Sequence, residues 1–189
     1  MTKKERAKLY PVIISEYNPE WPTWFAEEKS NLERLIGSEN IVRMNHYGST
    51  AVPGLAAKPT IDILLEISKT TDIGKLVSAL SPPVYICLDE SSLTIPTHPP
   101  HLMFLKGYLP SGFDKKVYHI HVRYPGDWEE LWFRDYLLTH PKAVAEYAAL
   151  KRMLIQDYKH DRDGYTNAKT DFISAIVEKA LQAPVGPTL

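Results

Sequence analysis

A glycine–serine turn that precedes a lysine and an aspartate is the first feature of the sequence that could carry chemistry. Gly48 leaves room for an anion to approach backbone N–H groups, and Ser49 and Thr50 add hydroxyl donors. Lys58 adds a positive charge, and Asp62 lies in an apolar run that is typical of a strand. These residues predict a phosphate-binding loop. The chain contains no Gly-x-x-x-x-Gly-Lys-Ser/Thr motif, so the loop is not of the Walker type.

Two histidines on alternate residues, His119 and His121, are the second such feature. Successive side chains of a strand point to opposite faces of a sheet. The predicted strands 59–67 and 117–124 therefore each present one apolar face and one more polar face. We expect the polar faces to line a cleft, and a solvated face of an antiparallel sheet is the alternative. The polar face would carry Asp62, Glu66, His119, His121 and Arg123.

The elements that must position these residues follow from hydrophobic periodicity. Apolar residues at helical spacing predict helices over 21–35 and 71–80, and we expect both helices to pack on the apolar face of the sheet. Further strands are predicted over 41–47, 84–88 and 101–105. After Pro125-Gly126 the pattern is helical, with helices starting near 127 and running over 141–158 and 164–182.

This order of elements predicts an α+β protein, in which a mixed sheet has helices packed on one face. Residues 10–125 would form this core, and residues 126–182 would form a C-terminal helical extension packed on it as part of a single compact unit. The stretch 89–100 is polar and rich in proline, and its length suggests a lid or a substrate loop.

The composition disfavours several classes of protein. The 189 residues include one cysteine, Cys87, so no intrachain disulfide can form and a reducing, cytoplasmic location is expected. Twenty-two basic and 23 acidic residues give a net charge of −1, which disfavours nucleic acid as a partner. No apolar stretch approaches the ~20 residues of a membrane span, so no membrane association is expected.

Several motifs together resemble the GrpB family. They are Tyr17-Asn-Pro-Glu-Trp-Pro22, His46-Tyr-Gly-Ser-Thr-Ala-Val-Pro-Gly-Leu-Ala-Ala-Lys-Pro-Thr-Ile-Asp-Ile63, His119-Ile-His121, Phe133-Arg-Asp-Tyr-Leu137, Tyr147-Ala-Ala-Leu-Lys151 and Tyr165 with Lys169 and Phe172-Ile173. The resemblance extends over residues 12–178. It implies a nucleotidyltransferase-like fold, with a small mixed sheet backed by two helices and a helical extension. The chain also resembles a domain that is fused to dephospho-CoA kinase in some bacteria.

The nucleotidyltransferase resemblance implies a Gly-Ser turn that holds a triphosphate and carboxylates on alternate strand residues that hold two divalent ions. Gly48 and Ser49 match the turn, and Asp62 matches the first carboxylate, which makes Asp62 the predicted metal ligand and Mg²⁺ the implied cofactor. Leu64 stands where the second acid is expected, and leucine cannot bind a metal. Glu66 is a weak candidate ligand, because it lies ~13 Å further along the strand.

Two hypotheses for function follow. In the first, the protein binds a nucleotide or another phosphorylated small molecule and is a divergent transferase. Asp62 would then be a metal ligand or a base, and His119 or His121 would be the acid/base or a phosphate contact. Additional phosphate contacts would be Arg123, Arg134 and Lys151. In the second, it is a non-enzymatic ligand-binding or interaction module that kept the fold and lost two-metal catalysis.

A transition-metal site is a further open alternative. Four histidines from three segments could converge on such an ion, with Cys87 in reach, namely His98, His101, His119 and His121. Their spacing is not diagnostic of any metal. Cys87 itself lies in a short apolar strand, where a buried and inert thiol is the common case.

Overall fold

The computed structural model describes residues 2–88 and 101–182, and these residues form seven α-helices and five strands. The helices are α1 (Lys3–Leu9), α2 (Trp21–Ile36), α3 (Ile73–Ala79), α4 (Glu129–Thr139), α5 (Pro141–Tyr158), α6 (Arg162–Asn167) and α7 (Thr170–Gln182). The strands are β1 (Ile41–Tyr47), β2 (Thr60–Ile67), β3 (Tyr85–Cys87), β4 (Leu102–Leu109) and β5 (Gly112–Arg123). The predicted lid at 89–100, with His98, lies outside the described residues.

The five strands form one mixed sheet in the order β1-β2-β5-β4-β3. β2 is an inner strand that pairs antiparallel with β1 and parallel with β5, and the β5–β4 and β4–β3 pairs are antiparallel. Seven of the eight residues of β2 are buried. This burial explains its nearly continuous apolar sequence, because a strand with a parallel neighbour is usually covered on both faces. The predicted α+β class with a mixed sheet is confirmed.

The apolar face of the sheet packs against α2, as its periodicity predicts. Ile63 of β2 pairs with Ile120 of β5, and neither residue is exposed to solvent. On the same face, the hydroxyl of Tyr118 donates a 3.4 Å hydrogen bond to the backbone oxygen of Trp24 in α2. α2 also contacts α3.

A buried carboxylate attaches α2 to the outer strands of the sheet. Glu28 is 3% exposed, accepts a 2.7 Å hydrogen bond from the hydroxyl of Tyr85 in β3 and pairs with Lys106 of β4. Burial, followed by the hydrogen bond to Glu28, raises the pKa of Tyr85 above its usual range. The phenol therefore stays protonated and acts as the hydrogen-bond donor to Glu28.

A bulge in β4 is centred on Gly107, where the register with β5 shifts between Lys106 and Tyr108. Gly107 has φ +84°, and a Cβ at this position would lie 2.3 Å from the carbonyl oxygen of Lys116. A side chain therefore does not fit here. Bulges change the direction of neighbouring side chains, and Tyr108 lies beside His119 on the polar face of the sheet.

The described chain forms two compact units. The sheet unit consists of residues 18–51 and 59–88 with 101–127, and the helical unit consists of residues 2–17, 52–58 and 128–182. The sequence interpretation assigned residues 10–125 to one core. In the structure, residues 10–17 and the short segment 52–58 instead group with the C-terminal helices, and the last boundary falls after Asp127.

The helical unit has an apolar core of its own. Its main cluster combines side chains of the segment 52–58 with side chains of α4, α5 and α7, and it contains Val52, Leu55, Ala56, Phe133, Leu137, Ala143, Tyr147, Ala148, Ile176 and Val177. A second cluster joins Val12, Leu154 and Tyr165. Ser15 and Ala57 form an isolated antiparallel bridge with two 2.9 Å backbone hydrogen bonds.

Two helical features differ from the sequence interpretation. The basic start of the chain forms α1, which is stabilised by a capping box between Thr2 and Glu5. The single helix predicted over 164–182 is two helices, α6 and α7, and Asp161 caps α6 by accepting a 3.0 Å hydrogen bond from Gly164 N. Within the described parts of the chain, no helix combines the length and the apolar character needed to cross a membrane.

An ion pair joins β1 to β2 on the polar face. Glu66 is completely buried. Its carboxylate accepts hydrogen bonds from Nε and Nη2 of Arg43, and the bond from Nη2 is 2.9 Å long. The backbone N–H of Gly126 donates a further hydrogen bond of 3.1 Å to the same carboxylate. Arg43 Nη2 also donates to the carbonyl of Gly126 at 3.1 Å. The hydrogen bond to Glu66 raises the pKa of Arg43, so the guanidinium stays charged.

Replacing Arg43 tests the importance of this pair. We expect Arg43→Met to lower the free energy of unfolding by at least about 2 kcal/mol, because it leaves the buried Glu66 carboxylate without its cation. The matched control is Lys29→Met, which removes an exposed cation that lies 3.9 Å from Glu33 and should cost less than about 1 kcal/mol. Urea unfolding at pH 7 measures both values, and equal losses in the two variants would contradict this account.

Candidate functional site

The parallel register of β2 and β5 brings three of the predicted site residues together. Asp62 pairs with His119, and the next pair on the same face is Leu64 with His121. Nδ1 of His119 lies 3.4 Å from Oδ1 of Asp62. One ligand-capable atom from each of Asp62, His119 and His121 lies within 4.8 Å of the other two. We call this group the Asp–His–His cluster.

This face of the sheet is covered in the structure. Leu64, Glu66, His119 and Arg123 are all buried, whereas the side chain of Asp62 is 26% exposed. A solvated sheet face, the alternative considered from the sequence, does not match this burial. Solvent or a ligand can therefore reach the cluster through Asp62.

Tyr108 orients His119. Its hydroxyl lies 2.7 Å from Nε2 of His119, and the two rings stack with centroids 5.9 Å apart. Nδ1 of His119 thus faces Asp62 while Nε2 is held by a phenol. Such a partner fixes the ring orientation and the tautomer of a histidine.

Gly48 allows the Asp62 carboxylate to lie against the backbone of the Gly-Ser turn. Its φ is +73°, and a Cβ at this position would lie 2.5 Å from Oδ2 of Asp62. Tyr47, the preceding residue, pairs with Asp62 across β1 and β2. The glycine is therefore required by both its backbone conformation and the close approach of a carboxylate.

His121 is held in its neutral form. Burial is the main cause that lowers its pKa to about 4. The charge of Asp62 opposes this shift, and the charges of His119, Arg123 and His101 add to it. Its ring meets that of Tyr47 edge to face, with centroids 5.6 Å apart. A neutral imidazole presents a lone pair, which is the form that accepts a proton or binds a metal.

The residues on this face do not fit a pair of magnesium ions. Two-metal sites need several carboxylates close together, and here Leu64 occupies the expected second position and is 1% exposed. Glu66, the weaker candidate ligand, is engaged by Arg43 and Gly126. Imidazoles, which are poor ligands for Mg²⁺, flank Asp62 instead.

The remaining predicted phosphate contacts of the sheet unit have structural partners. Thr50 is buried, and its hydroxyl donates a 3.0 Å hydrogen bond to the carbonyl of Thr60 and lies 3.0 Å from Nε2 of His46. This corrects the assignment of Thr50 as a phosphate contact, because its hydroxyl is used inside the fold. Ser49 begins the short 3₁₀ turn Ser49–Ala51 and is half-buried. Arg123 is buried and donates from Nε to Nε2 of His101 at 3.1 Å.

The candidate zinc ligands do not all join the cluster. Among the residues that the structure describes, the group with metal-binding spacing is Asp62 with His119 and His121, and it includes neither His101 nor Cys87. His101 is exposed and contacts Arg123. The sequence predicts the two histidines of this group as candidate transition-metal ligands, and the structure adds the carboxylate of Asp62 to them.

Three lysines gather in the helical unit. Nζ of Lys58 and Nζ of Lys169 lie 5.8 and 4.5 Å from the ring centroid of Tyr165. Nζ of Lys151 lies 4.4 Å from the ring centroid of Tyr147, one helical turn earlier in α5. We call these residues the lysine cluster. Lys58 and Lys151 were predicted phosphate contacts, and in the structure Lys58 lies against Tyr165 and Lys151 lies against Tyr147.

Lys151 is a buried amine among like charges. It is 2% exposed, and its pKa is lowered to about 6, mainly by burial and then by the charges of Lys169, Lys58 and Arg152. Tyr165 is 1% exposed, and within residues 2–88 and 101–182 its buried hydroxyl has no hydrogen-bond partner. Arg134 of α4 pairs with Asp135, at 2.7 Å from Nε to Oδ1.

The sequence comparison identifies the family. The model of the GrpB protein family matches residues 11–179, which is most of the chain. The chain belongs to the GrpB family. A solved structure with the same fold is the crystal structure of the conserved protein GrpB from Enterococcus faecalis, which is 31% identical with a TM-score of 0.74, over 90% of this chain and 98% of that chain.

Two curated relatives are longer than this GrpB-family chain. The UPF0157 protein YqkA of Bacillus subtilis is 32% identical over 178 residues, which are 91% of this chain and 49% of YqkA. A dephospho-CoA kinase of Mycolicibacterium paratuberculosis is 29% identical over 190 residues, covering 90% of this chain and 46% of the kinase. The chain thus spans about half the length of each. The resemblance to the GrpB family is confirmed, and the match to part of a protein named dephospho-CoA kinase agrees with the predicted resemblance to a domain fused to that enzyme.

Three residues in or beside the Asp–His–His cluster and the lysine cluster were not among the predicted site residues, namely Tyr108, Tyr165 and Lys169. Tyr108 could have been suspected from Gly107, because an isolated glycine in a strand pattern indicates a bulge. Tyr165 and Lys169 appear in the family motif, but helix periodicity does not show which lysine shares a neighbourhood with which tyrosine. That requires the packing of α5, α6 and the segment 52–58.

Gly48 can be tested against a second glycine. Gly54 also has positive φ, +77°, but a Cβ there would meet no atom within 4 Å. We expect Gly54→Ala to cost about 1–2 kcal/mol of unfolding free energy for the backbone alone, and Gly48→Ala to cost about 1–3 kcal/mol more because the Asp62 carboxylate must move. Urea unfolding compares the two variants. Equal costs would show that the contact with Asp62 is unimportant.

The depressed pKa of Lys151 predicts a pH-dependent stability. The unfolded chain binds this proton below about pH 10.5 and the folded chain only below about pH 6, so stability should rise with pH in this window, by at most about 1.4 kcal/mol per unit. We expect Lys151→Met to stabilise the protein at pH 7 and to reduce this rise between pH 6.5 and pH 9. Lys142→Met, at a 92% exposed side chain, should retain it. An unchanged slope in Lys151→Met would refute the assignment.

Proposed function

We propose that this protein binds a phosphorylated small molecule, such as a nucleotide, at the lysine cluster of its helical unit. The observation that carries the proposal is the convergence of Lys58, Lys151 and Lys169 on the rings of Tyr147 and Tyr165. Each ammonium group offers three donors, and a charge-assisted hydrogen bond to a phosphate is about twice as strong as a neutral one.

The electrostatics of the cluster favour an anionic ligand. Burial and the neighbouring cations Lys169 and Lys58 hold the pKa of Lys151 below its ordinary value, so charging this amine is costly without a ligand. A phosphate would lower that cost and restore the charged form. The buried hydroxyl of Tyr165 could supply a further donor to the same anion.

The number of cations favours phosphate esters over simple carboxylates. Three amines suit a ligand with two or more negative charges, and lysine binds phosphate as a point charge without demanding a planar partner. The nucleotidyltransferase-like resemblance and the relative named dephospho-CoA kinase support a nucleotide or a related metabolite.

The burial of Leu64 favours a binding role, or a divergent chemistry, over two-metal nucleotidyl transfer. The position expected to supply a second carboxylate is filled by an aliphatic side chain, and Glu66 serves the ion pair with Arg43. The second candidate function is therefore a non-enzymatic ligand-binding module that kept the fold.

Calorimetric titration with ATP in EDTA tests the proposal, with adenosine as the ligand that lacks phosphates. We expect ATP to bind and adenosine not to bind. Lys58→Met and Lys169→Met should each weaken ATP binding by about 10-fold or more, because each removes a charge-assisted contact. At pH 8, binding should take up protons, since the anion raises the pKa of Lys151 from its depressed value.

Lys142→Met is the matched control, because this lysine is exposed and its Nζ lies 4.0 Å from Oε1 of Glu146. Lys142→Met should leave ATP affinity unchanged. Failure of ATP to bind the wild type, or an affinity loss in Lys142→Met equal to that in Lys58→Met and Lys169→Met, would contradict a site at the lysine cluster. Tight binding of adenosine would show that phosphate recognition is not the basis of affinity.

A further inference from the structure

We propose that Asp62, His119 and His121 bind one first-row transition-metal dication, with Zn²⁺ as the test case, through a carboxylate oxygen and two imidazole nitrogens. This site differs from the magnesium site that the family resemblance implied, both in its donor atoms and in the number of ions. It lies in the sheet unit and does not depend on the ligand proposed above.

The spacing of the donor atoms matches such an ion. Zinc bonds to histidine nitrogen and carboxylate oxygen are roughly 2.0–2.2 Å long, so two ligands of a tetrahedral ion lie about 3.4 Å apart. Nδ1 of His119 and Oδ1 of Asp62 are 3.4 Å apart. The donor of His121 completes a triangle in which no two atoms are more than 4.8 Å apart. Small side-chain rotations would bring it to bonding distance.

The donor types select the class of metal. Imidazole suits zinc, iron, cobalt, nickel and copper, whereas magnesium prefers oxygen donors in an octahedral arrangement. The Asp–His–His cluster offers two imidazole nitrogens and one carboxylate oxygen. Three protein ligands leave at least one coordination position for water or a substrate, which is the pattern of a catalytic rather than a structural site.

The surroundings hold the donors in place. Tyr108 contacts Nε2 of His119 at 2.7 Å, which leaves Nδ1 directed towards Asp62. Metal-binding histidines commonly have such a partner on the second ring nitrogen. Gly48, which has no side chain, lets the Asp62 carboxylate pack against the turn, and the partial exposure of Asp62 gives an ion access to the site.

Competition with a chromophoric chelator measures the Zn²⁺ affinity of the 189-residue chain at pH 7.5, after treatment with EDTA and its removal. We expect one Zn²⁺ per chain. Asp62→Asn, His119→Gln and His121→Gln should each weaken binding by at least about 100-fold, and Tyr108→Phe by about 10-fold. Millimolar Mg²⁺ should not compete. Circular dichroism of each variant verifies that it is folded.

Two controls address other ligands. His160→Gln removes an exposed histidine outside the cluster, which contacts the carbonyl of Ala7 at 3.1 Å, and Cys87→Ser removes the thiol. Neither should alter the affinity. If Cys87→Ser abolished binding, or if the double variant His119→Gln/His121→Gln bound Zn²⁺ as tightly as the wild type, the proposed site would be wrong.

Cobalt spectroscopy of the wild type avoids any dependence on variant folding. Co²⁺ bound by nitrogen and oxygen donors in a four- or five-coordinate site absorbs in the visible region, and a thiolate ligand would add an intense charge-transfer band in the near ultraviolet. We expect the visible bands without the thiolate band, and their loss on adding Zn²⁺. Absence of visible absorption at saturating Co²⁺ would overturn the proposal.

Discussion

The parallel pairing of β2 with β5 is the constraint on which the sheet unit depends. It joins two strands that are distant in sequence, and its register decides which side chains become neighbours. On one face, it stacks aliphatic residues such as Ile63 and Ile120 beneath α2. On the other face, the same register sets Asp62 opposite His119. A slip by one residue would exchange the two faces, because strand side chains alternate.

The polar face of the sheet accommodates the carboxylates of Glu66 and Asp62 in two different ways. At the Glu66 end, a cation and a backbone N–H satisfy the carboxylate, and the result is a structural link between β1, β2 and the residues that follow β5. At the Asp62 end, the carboxylate stays partly exposed beside an imidazole. A partly exposed carboxylate can engage a ligand without breaking the buried ion pair at Glu66, so functional chemistry is better placed at the second end.

The faces of the strands could be predicted from the sequence because alternation depends on local geometry alone. Alternation does not specify strand neighbours, so it could not show that His119 lies directly opposite Asp62. The position of Tyr108 beside His119 could not be predicted, because the bulge at Gly107 turns the Tyr108 side chain to the opposite face from the one that strand alternation predicts. Lys58 and Lys151 were candidates by residue type and family motif, but their shared neighbourhood depends on which unit the segment 52–58 joins. Such long-range choices are set by packing, which a periodic pattern does not encode.

The segment 52–58 also affects how the protein folds during synthesis. The chain passes from one unit to the other at 17/18, 51/52, 58/59 and 127/128, so neither core is a continuous stretch of polypeptide. The cluster of Val12, Leu154 and Tyr165 cannot close until synthesis has passed Tyr165. Contacts of such sequence separation slow folding and prolong the exposure of apolar surface. A change in the length of 52–58 would alter the connection into both cores at once, so we expect the chain to tolerate insertions there far less than in an ordinary surface loop.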